Sequence, residues 1–249
     1  MNWTLACGAC VVVSAGAVVQ ATGQSQAPAQ QLLEQFKSEG NFSRQFQVAT
    51  KLVALNDPAV LPQLTAWLDH ADRHARGNAA FVFAGLGHER GFEVLNAILT
   101  DTSERVKGPG IGIAPGDGIV SLSAQIQADR YYVVHLFGSL KDPRALPTLI
   151  PLMADESVNY KVAWALGQIG GRAAVDALIA ALTNKAPDVR VIAIQALESL
   201  GAREALPRLR EMLTDNEKSS FGSRVSVADA ARAAIATLQK TPRPISISR

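Results

Sequence analysis

The sequence predicts an all-α fold, a right-handed α-solenoid built from about six stacked helical hairpins. Three observations lead there. A unit of about thirty residues recurs along the chain, within the range of helical repeat proteins. Alanine and leucine dominate the apolar residues while aromatics reach only 6%, a mixture suited to helices packed closely through small side chains rather than to a sheet. Asp-Pro pairs and glycines also recur at the unit's boundaries, where helices start and stop.

The 249 residues are 48% hydrophobic and 18% charged, a globular balance rather than a disordered one. Formal net charge is +2 with both signs interspersed. The basic stripe that a phosphate backbone requires is missing, so nucleic acid is not an expected partner.

In chain order, the first feature is an apolar start. No Asp, Glu, Lys or Arg precedes Glu34, and Leu5 to Val19 is mostly Leu, Ala, Val, Gly and Cys. This predicts a secretory signal peptide over 1–23, cleaved after Val19-Gln20-Ala21 or Ala21-Thr22-Gly23, and a periplasmic or secreted product. Met1 to Thr4 lacks the usual basic residue, so the alternative is an uncleaved anchor, with contact to a membrane through this segment alone. Cys7 and Cys10 have C-x-x-C spacing but lie inside the apolar run, which offers no folded polar site to activate a thiolate.

The remainder, 24–240, reads as the solenoid, with a flexible tail at 241–249. Six pairs of helices, each an A helix followed by a B helix, are expected at about 30–55, 57–87, 88–140, 142–170, 171–201 and 202–239. Asp57-Pro58 and Asp142-Pro143 suit the first turn of helix A, where Asp caps and a missing N–H is no loss. Gly87, Gly170 and Gly201 suit the position after helix B, where φ turns positive. Between them Val158, Val162, Ala165 and Ile169, with Leu166 beside them, form one apolar face.

Asp142-Pro143-Arg144-Ala145-Leu146-Pro147-Thr148-Leu149, running on through Val162, Ala165-Leu166 and Ile169-Gly170, resembles the HEAT-like repeat in its short bacterial, phycobilisome-lyase form. That pattern is D-P-x-A-[VL]-x-x-L, then V-R-x-x-A-x-x-A-L-x-x-[IL]-G. The resemblance implies an armadillo-like solenoid whose B helices line a concave face, and it makes Arg76, Arg130 and Arg190, at one shared repeat position, bonds to neighbouring turns.

The third pair carries an insertion at about 101–123, including Lys107-Gly108-Pro109-Gly110 and Ala114-Pro115-Gly116-Asp117-Gly118. Its order is not that of a phosphate-binding loop, and the spacing of Asp101, Glu104 and Asp117 is not that of an EF-hand. A shorter insertion, at about 216–224, interrupts the last pair.

Aligning the B helices places Phe81, His135, Trp164 and Gln195 at one position. Tyr132 and Lys161 share the next with Asn78 and Ile192, and Tyr131 and Tyr160 share a third with Gly77. These eight, Phe81, Tyr131, Tyr132, His135, Tyr160, Lys161, Trp164 and Gln195, are the candidate binding residues. Two readings stand: aromatic lining of a protein-binding groove, or rings wedged between adjacent helices.

Catalytic readings have less support. His70 and His74 have i, i+4 spacing, but Asp69 to Asp72 reads as a solvated turn between helices. His88 lies about 20 Å further along, at 1.5 Å per residue. Deoxyhypusine hydroxylase, built on similar repeats, needs repeated His-Glu pairs, whereas only His88-Glu89 occurs. No metal or cofactor is expected. The sequence therefore predicts a non-catalytic exported scaffold that binds a protein or extended peptide in its concave groove. The alternatives are a small-molecule or metal-dependent enzyme using the inserted loop, or a bilin-lyase-like protein.

Overall fold

A computed structural model describes residues 20–103, 121–220 and 224–240. These form six helical hairpins in the expected order, an α-solenoid. The first pair is α1 (Gln20–Ser38) and α2 (Phe42–Leu55). In the second, a composite A helix containing α3 (Leu61–Leu64) precedes α4 (Arg73–Gly85). The third is α5 (Glu89–Thr100) and α6 (Leu122–Leu140). The fourth joins a second composite helix, containing α7 (Leu146–Leu149), to α8 (Asn159–Ile169). The fifth is α9 (Arg172–Ala181) and α10 (Pro187–Ser199), and the sixth a third composite helix, around α11 (Leu206–Glu211), with α12 (Val227–Lys240).

The composite A helices depart from the plain α-helix expected of them, for a reason written in the chain. Each carries an internal Leu-Pro: Leu61-Pro62, Leu146-Pro147 and Leu206-Pro207. Proline has no N–H, so the carbonyl four residues earlier loses its α-helical donor. The N–H one residue sooner takes it instead: Leu61 donates to Pro58 O, Leu146 to Pro143 O and Leu206 to Arg203 O. The first turn tightens to 3₁₀ geometry. α5 and α9, without the Leu-Pro, are continuous. Asp57 and Asp142 cap as expected, accepting from the N–H groups of Ala59 and Arg144 at 3.0 and 2.9 Å.

Helix B ends as the glycines predict. Gly87 has φ 84° and Gly201 φ 66°, which lets the next N–H turn back: His88 N reaches Phe83 O at 2.9 Å and Ala202 N reaches Leu197 O at 3.0 Å. Successive B helices pack on one another from α2 through α12 as a continuous layer. Its interior is small, with Ala79, Ala80, Ala163, Ala165 and Ala193 fully buried among Leu136, Leu166 and Leu197. On the expected face of α8, Val158, Val162, Ala165 and Leu166 are fully buried, while Ile169 is only partly so.

α1 starts at Gln20, ten residues before the expected first pair, and runs across the residues expected to flank signal cleavage. Residues 1–19, with Cys7 and Cys10, lie outside the described residues, as do most of the 101–123 insertion and the 241–249 tail. The shorter insertion folds back on α10: Lys218 and Ser226 form an antiparallel bridge, and the hydroxyls of Ser219 and Ser220 donate to Asp188 at 2.5 and 2.6 Å. Among the described residues no helix is long and apolar enough to cross a membrane.

Candidate functional site

The expected rings do form a ladder along the B layer, and it begins one repeat earlier than the alignment placed it. Phe46 of α2 meets Phe81 of α4 with ring centroids 5.0 Å apart, and His135 of α6 at 5.4 Å. His135 in turn stacks on Trp164 of α8 at 5.1 Å. A second row runs beside it, Tyr131 of α6 lying 5.7 Å from Tyr160 of α8.

Burial divides the eight candidates. Phe81 is 3% exposed and Tyr132 8%, so for these two the structure replaces groove lining with wedging between helices. Tyr132 has a structural partner as well: its hydroxyl donates to Asn78 Oδ1 at 2.6 Å. Asn78 Nδ2 then donates to Phe42 O at 3.0 Å and to Gln45 Oε1 at 2.9 Å, a buried network binding the first three pairs together. Burial pushes the Tyr132 phenol well above its ordinary pKa.

Tyr131, His135, Tyr160, Lys161 and Trp164 are half-buried and Gln195 is exposed. Tyr131, Tyr160, Trp164 and Gln195 line one open cleft of about 530 Å³ between α8 and α10, with Gln168, Ile192 and Ser199 completing its walls. Gln168 stands one helical turn beyond Trp164, and Ser199 one turn beyond Gln195. That i, i+4 spacing was the signal available for both in the sequence. Phe42 and Phe46 carried the same spacing behind the Asn41 cap, in a pair whose match to the repeat is weak.

Lys161 packs against two of the rings that line this cleft. Its ammonium lies over the Trp164 ring, 3.6 Å from the centroid, and 5.1 Å from the centroid of Tyr131. Burial lowers its pKa to about 8. The neighbouring His135 is lowered to about 4, by burial first and by the charge of Lys161 second, and its Nδ1 is buried without a hydrogen-bond partner.

The shared arginines do bond neighbouring turns. Arg130 Nη2 reaches Asp155 Oδ2 at 2.6 Å, and Arg190 Nε reaches Asp215 Oδ2 at 2.9 Å. Arg76 approaches Asp101 Oδ2 at 3.6 Å, where Arg73 already donates. Each acceptor closes its own turn, taking the N–H two residues on: Ser103, Ser157 and Glu217. Partial burial pushes the Asp101 carboxyl up, but the Ser103 hydroxyl and N–H and the Arg73 guanidinium outweigh it and hold the pKa at about 2. In α8 the arginine position is Asn159, and the turn it would reach carries Asn184. The α8–α10 interface that opens into the cleft therefore lacks this tie.

The histidines at the second pair differ from the solvated turn expected of them. His70 does occupy the turn, where Nδ1 accepts from Asp72 N at 3.1 Å and the ring stacks on Trp67. His74, in the first turn of α4, is instead packed against Phe42, with centroids 4.5 Å apart, and against Tyr132 at 4.8 Å. His88 caps α5 through Nδ1. Among the described residues no three or more His, Cys, Asp or Glu side chains gather as metal ligands would.

Paired helices stacked through one B layer define a helical repeat protein of the α-solenoid class. Part of the chain is similar to one such repeat: the model of HEAT repeats matches residues 121–185 and 154–221, beginning at the start of α6. Over 95 residues the chain is 37% identical to the phycocyanobilin lyase subunit alpha of a Picosynechococcus species, a distant homologue. That match covers 34% of this chain and 35% of the relative, about a third of its length. A crystal structure of an engineered protein is also similar, with 18% identity and a TM-score of 0.42 over 85% of this chain and 96% of the other.

Proposed function

We propose that this chain is a non-catalytic, exported scaffold that holds an extended segment of a partner protein along its B-helix layer. The observation that carries the reading is the α8–α10 cleft, an open, uncharged site walled by Tyr131, Tyr160 and Trp164 and continuous with the ladder of rings. Amphipathic rings give contact area at little entropic cost and are enriched where proteins bind one another. HEAT repeats in general mediate such contacts. The apolar start of the chain supports a periplasmic or secreted location.

The experiment is site-specific photocrosslinking in cells. A crosslinker at Gln195 should trap a discrete partner, and the Trp164→Ala/Tyr160→Ala double variant should lose it while keeping its helicity and melting point. Tyr132 is unsuitable for this role, because truncating it breaks the buried network. A crosslinker at Ala180, exposed on α9, is the control: the same partner trapped equally there would remove the groove.

The relationship to a phycocyanobilin lyase subunit supports a second reading, in which the cleft receives a linear tetrapyrrole. Adding phycocyanobilin to the purified chain would then shift the visible absorbance, and Trp164→Ala would abolish the shift. An unchanged spectrum rejects it.

A further inference from the structure

We propose that the segment held in the α8–α10 cleft carries an acidic residue beside a large apolar one, the carboxylate meeting Lys161 and the apolar side chain entering between Trp164 and Ile192. This rests on the groove reading above and adds the chemistry of the occupant.

Four of the arginines sunk into this fold face a carboxylate: Arg73 and Arg76 face Asp101, Arg130 faces Asp155, and Arg190 faces Asp215 and Glu217. Lys161 is half-buried too, yet its company among the described residues is aromatic, the rings of Trp164 and Tyr131. A cation–π contact stabilises an ammonium by about 0.5–2 kcal/mol and only partly replaces lost water. Burial accordingly presses the Lys161 proton off, to a pKa of about 8.

The cleft itself supplies no relief, since its lining residues, the three rings with Gln168, Gln195, Ser199 and small or aliphatic neighbours, include no charged side chain. An incoming carboxylate therefore has no competitor there. It would restore to Lys161 the ion pair that the arginines already possess, with the rings excluding water around it. The rows of rings continue from the cleft onto α6, as a ligand with a backbone requires and a compact solute does not.

The test is a selection of displayed random twelve-residue peptides on the purified full chain, on Lys161→Gln and on Trp164→Ala. The wild type should enrich Asp or Glu next to Phe, Leu or Trp. Replacing that acid by its amide in the best peptide should weaken binding about tenfold. Lys161→Gln, or Lys161→Met if the first variant melts early, should bind both peptides alike. Lys161→Glu should turn the preference toward Lys and Arg. Peptides that need Trp164 but show no acid preference, or an acid preference that survives Lys161→Gln, overturn the inference and leave the groove standing. If no enriched peptide depends on Trp164, the groove reading fails and the inference with it.

Discussion

The interfaces α4–α6 and α8–α10 use the same repeat positions for opposite ends. At the first, Asn78 and Tyr132 meet in a hydrogen bond that continues to Gln45 and the backbone of Phe42, and Arg73 and Arg76 tie α4 to the next turn through Asp101. At the second, those positions hold Lys161 and Ile192, Asn159 stands where the arginine would, and the surface opens into a cleft. A stacked repeat needs each position only locally, so one interface can be closed by polar ties while another leaves its rings available.

The largest expected effect tests how tightly the helices pack in each region, α5 on α4 in the one and α10 on α8 in the other. A Cβ on Gly91 would lie 2.3 Å from Ala84 N and 2.5 Å from Ala80 O, backbone atoms of the facing α4. Gly91→Ala should therefore force α5 away from α4 and cost about 3 kcal/mol in urea unfolding. On the cleft side, a Cβ on Gly167 would meet chiefly the Ala196 methyl at 2.6 Å, which a small shift can relieve where α8 carries no arginine tie to the next turn. Gly167→Ala should cost about 1 kcal/mol. Equal losses would erase the contrast.

Next comes the polar position itself. Asn78→Ala strips partners from the Tyr132 hydroxyl, the Gln45 amide oxygen and the Phe42 carbonyl at once, and leaving such groups buried should cost about 2–3 kcal/mol. Lys161→Met, at the equivalent place, gives up only the ring contacts and removes the burden of a half-buried charge. Its unfolding midpoint should move little or rise. A large loss on Lys161→Met would mean that the ammonium is there for stability.

Much of this was legible in the sequence because it depends on local chemistry. Asp-Pro starts, the glycines after helix B and the spacing of Val158, Val162 and Ala165 each constrain the backbone next to them, so six hairpins followed. The arginines were legible too, while Asp101, Asp155 and Asp215 were not, since what marks them is the tertiary register of the next turn. Likewise the repeat period marks the ring positions without sorting them. Whether a ring is wedge or wall depends on the helix opposite: Phe46 closes over Phe81 and Asn78 meets Tyr132, whereas Trp164 shares an open cleft with Ile192 and Gln195 of α10. The Leu-Pro pairs were visible, and their consequence follows from counting which carbonyl loses its donor.

The smallest effect is a pH dependence placed at the junction of the two regions. His135, between Phe46 and Trp164, has its pKa lowered to about 4 by burial and by Lys161, against about 6.5 in an unfolded chain. Between those values the unfolded chain holds a proton that the folded one refuses, so stability rises with pH across this window. It is fully present above about pH 6.5 and declines as pH falls toward 4, below which this histidine adds no further loss. Discounted for partial exposure, the decline should be about 1 kcal/mol. His135→Phe keeps a ring against Trp164 and removes the proton site. Urea unfolding at pH 7 and pH 4.5 should therefore show the wild type losing about 1 kcal/mol more than the variant, with His70, His74 and His88 cancelling in the difference. Equal losses would mean that the His135 nitrogen is open to water, and a stack that admits water there could not keep it from Lys161 either.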